Sequence, residues 1–370
     1  MLYKFFKLDW VLISSVLLLL GVGLLTLYSI STVQDSGLNI FQRQLVFAIG
    51  GIFLMFFISF IDYQYFASYT RAIYIITIIL MIAVLVFGSS IRGTVGWIDF
   101  GFFRLQPVEL AKIFLIISLA SFFSRKKGEL GDLAKIISSA VVAGIIIGLV
   151  MMQPDFGSSV ILMGIWGTML LFSGIDKKYV FSLLIIGLIS VAVGWFLLAP
   201  YQKERVVNLF NPERDPMGTG YNVIQSIVAV GSGGAIGKGI GQGTQSQLNF
   251  LPEKHTDFIF AVIVEESGFV GAVFVMSLFV VLFYRMKKIA ENAYDNFGYL
   301  IAIGVMIMFF LQILINVGMN LGIMPVTGIT LPILSYGGSS LVSIFISLGI
   351  LLNISDKGKE RSDFEVIQSH

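Results

Sequence analysis

Ten apolar stretches alternate with short polar segments along the whole chain, and each is close to the length of a membrane span. A membrane-spanning helix needs about 20 mostly apolar residues. The eighth stretch is long enough to be a shorter span with a helical extension. The pattern predicts an all-α, polytopic membrane protein in which residues 1–370 form one integral membrane domain. The predicted helices cover residues 10–29, 45–61, 72–88, 107–124, 136–152, 158–173, 179–199, 258–284, 297–317 and 339–354.

The composition agrees with a membrane protein. Hydrophobic residues make up 56% of the chain and charged residues only 12%, with a mean hydropathy of +0.91. A soluble domain carries about twice that share of charge. The chain has no cysteine, which excludes disulfides, cysteine nucleophiles and cysteine-ligated metals. The first apolar run is too long for a cleavable signal and lacks a small-residue cleavage site, so it predicts a retained helix.

Basic residues orient the predicted helices. Fifteen lysines and arginines fall in segments on the side of the two termini, whereas the short loops opposite hold only Arg43, Arg92 and Arg104. By the positive-inside rule, both termini are cytoplasmic and residues 200–256 form a large extracellular loop between helices 7 and 8. All 8 prolines lie at or beyond the outer helix ends on this topology. Either the outer face carries the function, or its loops are simply longer.

The first polar stretch on the outer side runs from Arg104 to Lys112. Pro107 suits the first turn of a helix, where its missing N–H costs nothing. Glu109 and Lys112 are then three residues apart on one helix face. Charges inside a membrane span usually face the protein interior and pair. The two side chains are either a self-satisfying ion pair or part of a functional site.

Two further acidic residues lie at predicted outer helix ends. Asp155, in the turn Gln153–Ser159, could cap the following helix, or it could bind a cation or a substrate hydroxyl. Asp257 lies at the start of the long eighth helix, where the helix dipole favours an ionised carboxylate. An ionised carboxylate is the form that a general base requires, so Asp257 could cap the helix, act as a base, or do both.

The remaining outer motifs are rich in glycine. Residues 231–243 lack the Gly-Lys-Ser/Thr ending of a nucleotide-binding loop, although their backbone N–H groups could hold phosphate oxygens. The pair Glu265 and Glu266 lies deeper in the eighth helix, so at least one of them is expected to face a polar interior. Residues 316–340 contain two prolines and several glycines, which predict either a re-entrant turn or a purely structural loop.

Several of these segments together resemble the SEDS family of shape, elongation, division and sporulation proteins. The matching motifs are Pro325–Gly328, Ser335–Ser340, and His255–Phe260 followed by Glu265-Glu266-Ser267-Gly268. Residues 237–247 look like the RodA branch of the family rather than the FtsW branch. One departure is Val108, where the family usually has serine, so a hydroxyl has no role at that position.

The resemblance implies a peptidoglycan glycosyltransferase that polymerises lipid II during cell-wall elongation and maintenance of rod shape. Asp257 matches the family's essential acid, Glu109 and Lys112 its buried charged pair, and Asp155 another commonly required acid. Expected partners are a class B penicillin-binding protein and other membrane proteins of the rod complex, without nucleic acid. The expected location is the bacterial cytoplasmic membrane, with the active site on the extracytoplasmic side. The residues expected to bind substrate are Asp155, Arg205, Lys238, His255, Ser335 and Ser339.

The chemistry suggests roles for these groups. In our hypothesis, Asp257 takes a proton from the acceptor's sugar 4-hydroxyl, and the oxygen attacks the donor's anomeric carbon. The leaving diphosphate needs positive charge from Lys112, Arg205, Arg214, Lys238 or a divalent cation such as Mg²⁺ or Mn²⁺. Lys112 ranks first because a desolvated charge acts more strongly. The alternatives are a flippase for lipid-linked precursors, which should place polar groups near the membrane midplane, and a non-catalytic scaffold.

Overall fold

The described part of the chain folds mostly into helices, as the sequence predicts. The computed structural model describes residues 8–31, 38–91, 94–101, 103–125, 131–182 and 219–368, with a few isolated residues between 183 and 218. Within these ranges, eight helices are long and apolar enough to cross a membrane. The helices are α1 (Trp10–Ser31), α2 (Leu38–Ser59), α3 (Gln64–Ser68), α4 (Thr70–Phe87), α5 (Pro107–Arg125), α6 (Asp132–Met152), α7 (Phe156–Phe172), α8 (Thr219–Ser232), α9 (Thr244–Gln247), α10 (Ile259–Glu291), α11 (Asn296–Asn320) and α12 (Gly338–Gln368).

The two other predicted spans have different outcomes. Helix α7 is the sixth predicted span, an apolar helix of 17 residues. The seventh, 179–199, lies mostly outside the described residues. The predicted loop 200–256 contains two helices that hydropathy alone does not indicate, since α8 is amphipathic and α9 is a single turn. Helix α8 packs against α10 and α11, so part of this loop is an ordered layer on the bundle.

The interior of the bundle is formed by α5, α11 and α12. Helix α11 packs on α5, α7 and α10, and α12 lies along α2. The outer helices α2 and α4 expose large apolar side chains such as Phe53 (72% exposed) and Phe87 (78% exposed). Large exposed apolar surfaces are rare on soluble monomers. The outward-facing apolar surface is therefore consistent with a protein surrounded by lipid.

Ion pairs close one end of the bundle. Arg285, near the end of α10, donates from Nε to Asp9 Oδ2 before α1 at 3.0 Å. Lys357 of α12 pairs with Asp62, which follows α2. The starts of α5, α7, α10 and α12 lie at the opposite end, where Ser339 joins α12 to Gln106. The sequence predicts the first end as cytoplasmic and the second as external.

The first element that sequence analysis missed is a small sheet between α4 and α5. Strands β1 (Ser89–Ile91), β2 (Thr94–Asp99) and β3 (Arg104–Leu105) pair antiparallel in that order. The N–H of Val95 donates to Gln153 O at 3.2 Å, which anchors the sheet to the end of α6. Strands of two to six residues are too short to give a clear alternating pattern.

The second such element is a break in α10. Gly268 adopts φ 66° and ψ −163°, a region that is essentially restricted to glycine. A segment of the glycine-rich loop (residues 231–243) fills the break. It forms hydrogen bonds with the backbone groups of α10 that the break leaves without helical partners. The four hydrogen bonds run from Lys238 N–H to Glu265 O (3.0 Å), Gly239 N–H to Glu266 O (3.0 Å), Phe269 N–H to Gly234 O (2.9 Å) and Val270 N–H to Ala235 O (3.1 Å).

This break explains the excess length of the eighth predicted span. The eight residues Ile259–Glu266, before the break, are all buried. Beyond it, side chains such as Phe269 and Val280 are 67% and 64% exposed. The portion after Gly268 therefore has the exposed apolar surface of a membrane span. The portion before it is the helical extension, and it lies inside the protein.

Candidate active site

Asp257 lies at the head of the buried portion of α10. The N-cap of this helix is Phe258, so Asp257 precedes the cap position by one residue. The residue is partly buried. Its backbone carbonyl accepts hydrogen bonds from Asn316 Nδ2 at 2.9 Å and Asn320 Nδ2 at 3.0 Å. The chain around the carboxylate is thus held by side chains of α11.

The loop between α11 and α12 forms one wall beside Asp257. Gly328 adopts φ +75°, and a Cβ added there would lie 3.7 Å from Asp257 Oδ2. Since glycine adopts positive φ without steric cost, Gly328 lets the loop backbone approach the carboxylate closely. Ile329, Leu331 and Leu334 in this loop are buried. Irregular backbone of this kind is stable at membrane depth when protein surrounds it.

His255 and Ser335 hold this loop against the segment before α10. Ser335 Oγ donates to Thr256 O at 2.6 Å and accepts the N–H of Leu331 at 2.8 Å. The N–H of Tyr336 donates to His255 O at 2.8 Å, and the two rings meet edge to face with centroids 5.9 Å apart. Both predicted substrate-binding residues therefore lie beside Asp257. The hydroxyl of Ser335 already has a donor and an acceptor within the protein.

Glu109 and Lys112 form the expected ion pair at the start of α5. Lys112 Nζ donates to Glu109 Oε1 at 2.8 Å, and the side chains are 1% and 8% exposed respectively. Pro107 is the first residue of the helix, as its chemistry predicts. The pair is close enough to Asp155 to influence its titration, because the Lys112 charge lowers and the Glu109 charge raises the pKa of that carboxyl.

Asp155 caps α7. Its Oδ1 accepts the N–H of Ser158 at 2.9 Å, and its Oδ2 accepts Ser158 Oγ at 2.7 Å. Burial raises the pKa of the Asp155 carboxyl, and these two hydrogen bonds oppose the shift. A Cβ added at Gly157 would lie 2.9 Å from Thr327 O. The turn that carries Asp155 therefore packs against the loop whose next residue, Gly328, borders Asp257.

Ser339 has a bridging position at the start of α12. Its Oγ donates to Arg104 O at 2.9 Å and accepts the N–H of Gln106 at 3.0 Å. This joins α12 to the segment that leads into α5 and its charged pair. The arrangement gives Ser339 a positioning role, whereas its predicted contact with substrate stays a prediction.

Lys238 belongs to a second cluster on α10. Its Nζ pairs with Glu265 Oε1 at 3.1 Å and donates to Thr244 Oγ1 at 2.8 Å. Glu265 is eight residues after Asp257, which corresponds to about 12 Å of helix rise. Lys238 therefore lies beside Glu265 and outside the immediate surroundings of Asp257. Arg205 and Arg214, the other cations proposed from the loop, lie outside the described residues.

Glu265 and Glu266 both face a polar interior and accept hydrogen bonds from the glycine-rich loop. Glu265 accepts the backbone N–H groups of Gln245 at 2.8 Å and Ser246 at 3.1 Å. Glu266 accepts the N–H of Gly241 at 3.1 Å and the hydroxyl of Ser29. These N–H groups, with those of Lys238 and Gly239, already bond within the protein. The predicted phosphate-holding role of the loop would require them to be released.

Sequence reasoning missed three residues that shape the site. Asn316 and Asn320 hold the chain at Asp257, and Gly328 lets the loop backbone approach its carboxylate. Two asparagines four residues apart in an apolar helix are a signal that could have been used, since polar residues inside spans are often functional. Within the described parts of the chain, no three His, Asp or Glu residues are grouped as metal ligands, so the divalent cation stays a prediction.

The chain is similar to a known family over nearly its whole length. The family model FtsW/RodA/SpoVE, described as cell cycle protein, matches residues 9–360. Stage V sporulation protein E of Bacillus subtilis is 39% identical over 94% of this chain and 96% of the relative. Peptidoglycan glycosyltransferase MrdB of Escherichia coli is 38% identical over 94% of this chain and 93% of the relative. The sequence-based assignment to this family is confirmed.

Solved structures show the same fold. A chain from a study of structural coordination of polymerization and crosslinking by a peptidoglycan synthase complex matches with a TM-score of 0.80 and 30% identity. That match covers 95% of this chain and 98% of the other. The crystal structure of the rod shape determining protein RodA of Thermus thermophilus matches with a TM-score of 0.71 and 27% identity, over 94% and 96% of the two chains.

Proposed function

The chain belongs to the SEDS family and is a peptidoglycan glycosyltransferase, and from this premise we propose that it polymerises lipid II with Asp257 as general base. The observation that carries the proposal is the placement of Asp257. A partly buried carboxylate heads an internal helix, and the loop backbone at Gly328 approaches it closely. Asp155 lies in a turn that packs against the same loop, and the Glu109–Lys112 pair acts electrostatically on Asp155.

The reaction proceeds by inversion at the donor sugar. Asp257 takes the proton from the acceptor's 4-hydroxyl as that oxygen attacks the donor's anomeric carbon. The bond to the diphosphate breaks, so a β-1,4 linkage forms and undecaprenyl diphosphate leaves. General-base assistance accelerates such a step by roughly 10²–10⁴-fold. The donor's apolar tail stays in lipid while its sugars reach the carboxylate at the external boundary of the cytoplasmic membrane.

Lys112 stabilises the negative charge of the leaving diphosphate. The Lys112 side chain is 1% exposed and its ammonium is bonded to Glu109, so it acts through its electric field rather than by direct contact. The pair has no net charge, but its dipole is weakly screened in a desolvated environment and favours negative charge on the Lys112 side. The Lys112 charge acts on Asp155 across the α5–α7 contact. In this proposal Asp155 orients the substrate from the same side.

The enzyme works with a class B penicillin-binding protein and other rod-complex membrane proteins during elongation and rod-shape maintenance. A polymerase makes glycan strands that a transpeptidase then crosslinks. The similarity to a chain of a synthase complex that coordinates polymerization and crosslinking supports such a partner. The exposed apolar surfaces of α4 and α10 leave large areas where a partner's membrane helix can pack.

A polymerisation assay tests the proposal. Purified protein in detergent is supplied with lipid II, alone and with its cognate penicillin-binding protein, each with and without a chelator. We expect glycan chains from the wild type and a rate about 10²–10⁴-fold lower for Asp257→Asn. Asp99→Asn is the matched control, because Asp99 is an exposed aspartate of the β2–β3 hairpin. Its rate should stay at the wild-type value.

Other outcomes would contradict the proposal. Wild-type protein that makes no polymer in either condition is not a polymerase on its own or with that partner. Transfer of lipid II across proteoliposomes without polymer would instead support a flippase. Loss of activity with chelator, restored by Mg²⁺ or Mn²⁺, would show that a divalent cation assists the leaving group.

A further inference from the structure

A buried polar stripe runs along α11 toward Asp257. Gln312, Asn316 and Asn320 are spaced four residues apart, so they lie on one helix face. They are 1%, 0% and 0% exposed. An amide buried among apolar side chains costs free energy unless it is hydrogen-bonded. Their presence in a 25-residue apolar helix therefore needs a reason beyond helix formation.

Asn316 joins two segments of the candidate site. Its Nδ2 donates to Asp257 O at 2.9 Å and to Ile329 O at 2.7 Å. Ile329 directly follows Gly328, the residue whose backbone approaches the Asp257 carboxylate. A single amide group thereby fixes the separation between the chain that carries the carboxylate and the wall that faces it.

Asn320 holds the same carbonyl and the first turn of α10. Its Nδ2 donates to Asp257 O at 3.0 Å, and its Oδ1 accepts the N–H of Ala261 at 3.0 Å. The first N–H groups of a helix have no partner within the helix, so Asn320 supplies one that the N-cap Phe258 does not. Nδ2 of Asn320 also donates to Asn316 O at 2.8 Å, which links the two amides.

These contacts determine where the carboxylate can lie. The side chains of α11 hold the chain at two points around the start of α10. These points are the carbonyl oxygen of Asp257 and the N–H of Ala261. The position of the Asp257 Cα is then set by α11. A base must lie within hydrogen-bonding reach of the proton it removes. Small displacements of this backbone therefore translate directly into loss of rate.

We propose that Asn316 and Asn320 are positioning residues that hold Asp257 at its working distance from the acceptor hydroxyl. This inference rests on the proposed function of Asp257. Both amides are fully buried and bonded within the protein, so they act on the rate of the chemical step rather than on substrate binding. They form a brace between α11, the head of α10 and the loop at Gly328.

Shape-preserving variants test the brace. Asn316→Asp and Asn320→Asp keep an acceptor of the same size but lose the two N–H donors. We expect kcat for lipid II polymerisation to fall by about 10²-fold, the order of loss that follows from a displacement near 1 Å. The KM for lipid II should stay close to the wild-type value. Size-exclusion chromatography and thermal unfolding check that each variant is folded.

The pH profile of Asn320→Asp distinguishes positioning from general stability. When protonated, the new carboxyl can still donate to Asp257 O while its other oxygen accepts from Ala261. When ionised, it places negative charge against two carbonyl oxygens. We therefore expect kcat of this variant, relative to wild type, to decrease as pH rises. A purely structural defect would lower the yield of active protein without changing this profile.

Ser226→Ala is the matched control. Ser226 is fully buried, and its Oγ donates to the backbone carbonyl of Asn320 at 2.9 Å, so the variant loses a buried hydrogen bond to the same residue and leaves both amides intact. Its kcat should equal that of the wild type. Where an aspartate variant does not fold, Asn316→Ser, which is smaller and keeps one donor, should give an intermediate kcat.

The inference and the proposed function fail in different ways. If Asn316→Asp and Asn320→Asp polymerise at the wild-type kcat while Asp257→Asn is inactive, the brace is overturned and the base assignment stands. A folded Asn316→Ser at the wild-type kcat overturns it equally. If Asp257→Asn itself keeps full activity, the general-base assignment is wrong.

Discussion

Asp155 has a structural task that asparagine can share, and the proposed function gives it an electrostatic task that asparagine cannot share. Both oxygens of its carboxylate accept hydrogen bonds from Ser158 at the start of α7. Asparagine is also a good N-cap, whereas alanine at such a position costs about 1 kcal/mol. We expect Asp155→Ala to lower the unfolding temperature and Asp155→Asn to preserve it. Both variants should lose polymerisation, and an active Asp155→Asn would show that the charge is not needed.

The pH dependence of stability provides a second measurement on Asp155. Burial raises the pKa of this carboxyl in the folded state. Its contribution to the free energy of unfolding is then complete below the unfolded pKa of about 3.9, and is lost as pH rises through the folded pKa. Asp155→Asn should remove this loss. Thermal unfolding in detergent across that pH window should show a smaller decline for the variant, and parallel curves would contradict the assignment.

At the scale of elements, the break at Gly268 couples α10 to the glycine-rich loop. A Cβ at this position would lie 2.3 Å from Gly237 N and 2.6 Å from Ala235 O. Both contacts are to backbone, so the loop would have to move. We expect Gly268→Ala to lower the free energy of unfolding by at least about 1–3 kcal/mol, the cost of this conformation for a non-glycine residue. Thermal unfolding of the purified protein measures the effect.

Gly144 offers the comparison for this variant. It lies inside α6, and an added Cβ there would meet nothing within 4 Å. Alanine is favoured over glycine in a helix interior by about 0.5–1 kcal/mol. Gly144→Ala should therefore be neutral or stabilising. Equal destabilisation of both variants would mean that the packing of the loop at the Gly268 break does not cause the loss of stability.

The apolar spans could be predicted because their signal is local. Run 107–124 corresponds to α5 (Pro107–Arg125), and run 297–317 to α11 (Asn296–Asn320). The break in α10 could not be predicted in this way. Glycine at 268 permits it, but the hydrogen bonds that stabilise it come from residues 234–239, about thirty positions earlier. Interactions between distant segments leave no periodic pattern in the sequence.

At the scale of the whole molecule, the candidate site unites segments from three parts of the chain. Asp257, the Gly328 loop and the turn at Asp155 are far apart in sequence, yet they meet at one end of the bundle. The sequence identifies most of the charged groups, because charges in apolar surroundings stand out. It does not reveal that the neutral amides of α11 tie two of these segments together, since that depends on how α10 and α11 pack.

The absence of cysteine permits a direct test of which end of the bundle faces outward. Ile236, in the loop that fills the α10 break, is 81% exposed, and the side chain of Lys287, near the other end of α10, is 65% exposed. Lysine and arginine accumulate on the cytoplasmic side of membrane proteins, and the Lys287 end is basic.

In intact cells, Ile236→Cys should therefore react with a membrane-impermeant maleimide. Lys287→Cys should react only after permeabilisation. The unmodified cysteine-free protein gives the background for both variants. The reverse pattern would place Asp257 on the cytoplasmic side, away from the external surface where the proposed polymerisation occurs.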